Sequence, residues 1–239
     1  MTKKKFTDPV EIIKRIKESE GERVSSKIEE LHAAFFIFAG NRKQLLTAIH
    51  AFEHPTNVSQ LWKVENRPTL RNFQREIARL LHNYLASAAT LIDHSRIFVR
   101  DLYQNKPFHE EYKSKRDDTF KSSELAGFIK GLRNWMLHKG LVPVVARLSG
   151  TGPTKPPISS MVLSLDKLRT WDKWDARAKA YLTALNSDPE LHKVVLSYGG
   201  LVEFFYLWLE NRVRDLHSPA FKELDELQDQ LRTIQNKKS

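Results

Sequence analysis

The sequence contains no cysteine. This excludes disulfides, thiolate nucleophiles and cysteine-ligated zinc, and leaves chemistry to His, carboxylates, Lys, Arg and hydroxyls. Long apolar runs are missing too: no stretch approaches the roughly 18 to 20 uncharged residues that a membrane-spanning helix needs. Met1 to Lys5 lead into a charged amphipathic segment rather than the apolar region of a signal peptide. The expectation is a soluble, unexported, cytoplasmic protein with no membrane partner. There is no Gly-rich phosphate loop of Walker or Rossmann type and no Ser nucleophile elbow. His50 and His54 have the i, i+4 spacing of metal-binding pairs, but no Glu adjoins the first and Pro55 ends the helix at once. They read as helix-end histidines, and no metal or cofactor is expected.

What is present is a chain of 239 residues with 41% hydrophobic content, enough for a real core. Its formal net charge of +10 favours a polyanionic partner, because Lys and Arg placed near phosphates release counterions. RNA, DNA and an anionic surface all satisfy that charge, and so does a plain excess of solvated lysine.

Helical patterns dominate. Asp8-Pro9 opens a short amphipathic helix that Gly21 is expected to end; a second runs from Ser25 to Gly40-Asn41, and a third carries Leu45, Leu46, Ile49 and Phe52 to His54-Pro55. Val58 to Glu65 is ambiguous. Asn66-Arg67-Pro68 starts the longest pattern, which ends near Tyr103 and has a broad apolar face from Phe73 to Ile92. Arg71, Arg75 and Arg79 form a basic row on it, either touching phosphate or solvated and paired with carboxylates such as Glu76. A charged connector, Phe108 to Lys121, precedes a helix capped by Ser122 or Ser123 that runs from Glu124 to Lys139 and stops at Gly140. Leu141 to Leu148 and Ile158 to Leu165 are strand-like and flank a Gly/Pro loop, predicting a hairpin at about 141–165. Helical patterns return at Asp166 to Leu185 and Pro189 to Leu216, and weakly from Pro219. Trp171 and Trp174 with Lys173 fit either a core or a base-stacking surface. The order reads as a helical extension over residues 1–66 followed by one helical domain over residues 67–239.

Within the shorter helix, Asn134 and His138 are four residues apart and project from one side, with Arg133 at its edge, so the three groups can share a cleft. Two other Arg/His pairs of similar spacing, Arg75 with His82 and Arg212 with His217, lack the Asn and the helix-ending Gly. About two such pairs are expected by chance in a chain this rich in Arg and His. Gly127 and Gly131, one turn apart, permit close helix approach, suiting a tight bundle or a dimer seam. Arg133 and His138 also fit simple capping of a helix C-terminus by cations.

The run Gly131-Leu132-Arg133-Asn134-Trp135-Met136-Leu137-His138-Lys139-Gly140 resembles the signature of the HEPN superfamily: Arg, a polar residue often Asn, three positions, then His. The resemblance extends over Pro68 to Leu216. It implies an all-α fold, a HEPN-like helical bundle here carrying an N-terminal helical extension and a small β-hairpin insertion. It also implies a homodimer that joins two motifs into a metal-independent RNase site, in a toxin or defence role with an antitoxin or regulatory partner. His138 would take the proton of the ribose 2′-OH, Arg133 would hold the scissile phosphate, and Asn134 would orient the phosphate or the imidazole. Lys130 and Lys139, with Arg71, Arg75 and Arg79, are candidate RNA contacts, and Asn83, Asp93 and His94 candidate supporting polar groups. Other members bind RNA or nucleotides without cutting. A third possibility is a helical interaction module whose charge is incidental.

Overall fold

A computed structural model describes residues 8–150 and 157–236. The tip of the expected Gly/Pro loop, residues 151–156, lies outside the described residues. Ten α-helices and one two-stranded sheet are found among them, an all-α fold with a small hairpin. None of these helices is long and apolar enough to cross a membrane.

Helix α1 (Pro9–Glu18) starts where the Asp8 carboxylate accepts the Val10 N–H at 2.9 Å. Its end is set by Ser19, whose N–H closes the last turn and whose hydroxyl accepts the Glu22 N–H at 3.1 Å to begin α2 (Glu20–Glu53). Gly21 therefore sits inside α2. It lets the helix meet α10 (Ser218–Asn236) closely: a Cβ at this position would fall 2.5 Å from the Ala220 carbonyl oxygen. The expected break at Gly40-Asn41 does not occur either, and α2 runs through it as one helix. A mid-helix Gly costs about 1 kcal/mol. That is less than the packing of Phe38, Leu45, Ile49 and Phe52, all wholly buried on either side of it.

Pro55 opens the short α3 (Pro55–Leu61), which resolves the ambiguous segment together with a 3-10 turn at Val64–Asn66. Helix α4 (Arg67–Tyr103) is about 55 Å long at 1.5 Å per residue and packs along α2. The buried residues of α2 share one continuous cluster with those of α4 and of α9 (Leu191–Leu216). The charged connector proves to be α5 (Pro107–Arg116), held by buried Phe108 and Tyr112. It runs into a π-helical turn over Asp117–Lys121, closed by the Ser122 N–H on the Asp117 carbonyl at 3.2 Å.

Helix α6 (Glu124–His138) follows, then the antiparallel pair β1 (Val144–Ser149) and β2 (Ile158–Leu163), in register from Val144 opposite Leu163 to Ser149 opposite Ile158. The single helix expected after the hairpin is split into α7 (Leu165–Arg169) and α8 (Ala176–Ala184). Trp171 and Trp174 lie between the two and are buried, so they belong to the core rather than to a stacking surface.

Candidate functional site

The Ser123 hydroxyl accepts the Ala126 N–H at 3.1 Å and fixes the start of α6. The inward face of this helix is closely fitted. Phe128 stacks on Tyr181 at 4.6 Å between ring centres, and Trp135 stacks on Trp174 at 5.9 Å. Gly127 and Gly131 admit the chain leading into α8: a Cβ at Gly131 would lie 2.4 Å from the Trp174 ring, and one at Gly127 2.6 Å from Arg177 Cβ. The small-residue spacing thus serves the bundle, and that face is closed to a second chain. At the C-terminus the Lys139 and Gly140 N–H groups both reach the Trp135 carbonyl, and Gly140 takes a φ of 139°.

The outward face of α6 presents Lys130, Arg133, Asn134, Leu137 and His138. Asn134 is half-buried and the others are exposed. The side chains of Arg133, Asn134 and His138 make no hydrogen bond or ion pair with any of the described residues. Leu137 is 62% exposed, and Leu141 just past the helix is 70% exposed, so uncovered apolar surface adjoins the three polar groups. Five residues of helix place Arg133 and His138 about 140° apart around the axis, with Asn134 between them. Arg133 turns toward α4 and lines a cleft; His138 does not line it.

That cleft, about 350 Å³, lies between α4, the π-turn and α6. Its floor is apolar, made of Leu85, Ala88, Ile92, Phe120 and Ile129 among others. Six cations line it, Arg96, Arg116, Lys121, Lys130, Arg133 and Arg177, against a single carboxylate, Asp93. Four of the six are engaged. Arg96 pairs with Asp93 at 3.0 Å, and Arg116 and Lys121 both hold Asp117, at 2.7 and 2.6 Å. Arg177 donates to the Phe120 and Lys121 carbonyls and to Asp175. The Lys121 ammonium, with the Arg116 guanidinium, holds the Asp117 carboxyl below its ordinary range. Burial pushes the Asp175 carboxyl up, but the Ala178 N–H, Arg177 and the charge of Lys130 outweigh it and leave it lowered.

Lys130 and Arg133 are the two rim cations with no ion pair among the described residues. Tyr198, 4% exposed, also lines the cleft, and its hydroxyl has no hydrogen-bond partner among the described residues. Burial raises its pKa, so the phenol stays protonated and able to donate.

The other expected site residues are scattered. Asp93 lies in the cleft, whereas Asn83 and His94 line a groove on the α2 side of α4. Arg71, Arg75 and Arg79 are exposed on the N-terminal half of α4, about 9 to 21 Å along the axis from Leu85, the first α4 residue of the cleft. Arg79 is paired with Glu76 at 2.6 Å, which lowers the Glu76 pKa. Lys139 donates to the Thr170 hydroxyl at 3.1 Å and sits 4.3 Å over the Trp135 ring, tying the end of α6 to the loop after α7. His54 Nδ1 lies 2.8 Å from the Thr56 hydroxyl, and no group of three or more His, Asp or Glu poised for a metal ion is found among the described residues.

Sequence reasoning missed Arg116, Lys121, Arg177 and Tyr198. The first two sit on the helix and π-turn that in sequence look like a charged connector, and Tyr198 reads in sequence as one more apolar position of α9. Comparison of the chain with protein-family models, with curated proteins and with solved structures gave no match. The resemblance to the HEPN signature therefore rests on the residues of α6 themselves.

Proposed function

We propose that the protein is an endoribonuclease whose reacting groups stand on the outward face of α6 and are completed by a second copy of the chain. One observation carries this reading: Arg133, Asn134 and His138 share that face with no side-chain partner among the described residues, beside exposed Leu137 and Leu141. Side chains that only served the fold would be engaged by it, as Lys139 is. The angular separation of Arg133 and His138 supports the need for a second copy, since facing α6 helices set the Arg of one chain near the His of the other.

In the reaction, the imidazole of His138 accepts the proton of a ribose 2′-OH, and the freed oxygen attacks the adjacent phosphorus. The bond to the 5′ oxygen breaks, and that oxygen leaves with a proton from water. Arg133 holds the phosphate in its planar fork as negative charge builds on the equatorial oxygens. The products are a 2′,3′-cyclic phosphate and a 5′-hydroxyl.

The test is incubation of purified wild type, His138→Ala and Leu137→Asp with total RNA and a chelator, followed by end-group analysis and sedimentation. Cyclic-phosphate ends from wild type alone, with Leu137→Asp monomeric and inactive, are the expected result; intact RNA in every sample contradicts it. A second reading, phosphate binding without cleavage, is favoured by the place of Arg133 in a cleft that His138 does not enter. It predicts salt-sensitive RNA binding and no products.

A further inference from the structure

The cleft between α4, the π-turn and α6 is left open by short side chains: Ala88 and Ala89 on α4 and Ala126 on α6 stand where larger apolar residues would fill it. Closing it would bury more apolar surface, so folding alone gains nothing from the gap. The α4 residues that line it run from Leu85 to Arg96, about 16 Å along the helix axis. Spread over that length, a volume of about 350 Å³ has a mean cross-section of about 20 Å², which makes a narrow slot rather than a round chamber. The rim is one-sided in charge, six cations to one carboxylate, and four of the six are already engaged, which leaves Lys130 and Arg133 to meet an anion. Residues 1–7, 151–156 and 237–239 of the chain carry six lysines and no acidic side chain, so they do not complement this rim. The complement comes from another molecule. A small inorganic anion would satisfy the two free cations but leave the apolar floor wet, and a neutral apolar molecule would do the reverse.

We propose that this cleft binds a linear aliphatic carboxylate, an anion of the fatty-acid class. The tail lies along the slot against Ala88, Ile92, Phe120 and Ile129, which offer it only carbon, and takes both itself and the floor out of water. The carboxylate meets the planar fork of Arg133 and the point charge of Lys130. These two residues are three apart on α6, so they flank one head group from the same side of the helix. The binding shares Arg133 with the ribonuclease reading but does not rest on it.

The test is calorimetric titration of the full chain with butanoate, octanoate, dodecanoate, 1-octanol and AMP, with no RNA present. One octanoate per chain is expected, bound about tenfold or more tighter than butanoate because four methylenes are added, with dodecanoate tighter again. 1-Octanol, which brings no charge to the rim, should bind about tenfold more weakly than octanoate. Lys130→Gln should weaken octanoate about three- to tenfold and leave 1-octanol unchanged. Ala89→Trp, which fills the slot from α4, should abolish the binding of both, with a melting curve confirming that the variant is folded. Affinity that does not rise with tail length, 1-octanol matching octanoate, AMP binding more tightly than dodecanoate, or binding indifferent to both substitutions overturns the proposal. Because no RNA is involved, that outcome is separate from any failure of the ribonuclease reading.

Discussion

The two faces of α6 carry opposite kinds of residue for opposite reasons. On the inner face every side chain has a specific neighbour: Phe128 and Leu132 are wholly buried, and even the glycines are fixed by what lies opposite them. On the outer face a cation and an imidazole are exposed and an amide is half-buried, none with a side-chain partner among the described residues, next to leucines that folding leaves uncovered. Folding accounts fully for the first face and for none of the second. The difference teaches that identical helical periodicity can encode a packing surface and an uncovered polar surface at once, and only the neighbours tell them apart.

The contrast can be broken most forcefully from inside. Phe128→Ala removes a ring held between Tyr181 and Trp174 and should cost about 3 to 5 kcal/mol in chemical denaturation. Gly131→Ala drives a methyl group into the Trp174 ring and should cost about 1 to 3 kcal/mol. Loss of less than half of either amount means that α6 and α8 are not packed as described.

A smaller effect comes from a buried polar group at the far end of the bundle. His217 lies with Nδ1 3.2 Å from Glu20 and Nε2 3.0 Å from the Tyr103 hydroxyl. Burial lowers its pKa below the ordinary 6.5, against the opposing pull of Glu20. The unfolded chain therefore takes up this proton at higher pH than the folded one. The stability it contributes is present above the ordinary value and is lost as pH falls through the lowered one. The melting temperature should drop between pH 7.5 and 5.5, and His217→Gln should flatten that drop; an unchanged pH profile in the variant refutes the assignment.

Smallest of all, Arg133→Ala and His138→Ala should shift stability by no more than about 0.5 kcal/mol. A larger loss in either would mean that the outer face does serve the fold.

How much of this could be read from the chain alone depended on how local the signal was. Helix α4 was legible because its apolar period is long and Pro68 and Pro107 bound it; the Ser123 cap and the hairpin followed from equally local chemistry. Gly40 misled because a local propensity of about 1 kcal/mol was overruled by buried aromatic and aliphatic neighbours. Helix α5 was hidden by its charge, although Pro107 and the pair Phe108 and Tyr112, four residues apart, marked it. The row on the outer face of α6 was legible for the same reason as α4. The cleft was not, because Ile92, Lys121, Arg133, Arg177 and Tyr198 come from five separate stretches of chain and meet only after folding.

The central claim is that the outer face of α6 handles RNA phosphate. Its most direct test is a fluorescence-anisotropy titration of a short single-stranded RNA across a range of salt concentrations. It uses His138→Ala, so that the RNA stays intact, with and without Arg133→Ala. Weaker binding and a salt slope reduced by about 1 on removing Arg133, at unchanged melting temperature, is the predicted result. Equal affinity and equal slope in the two proteins would contradict it.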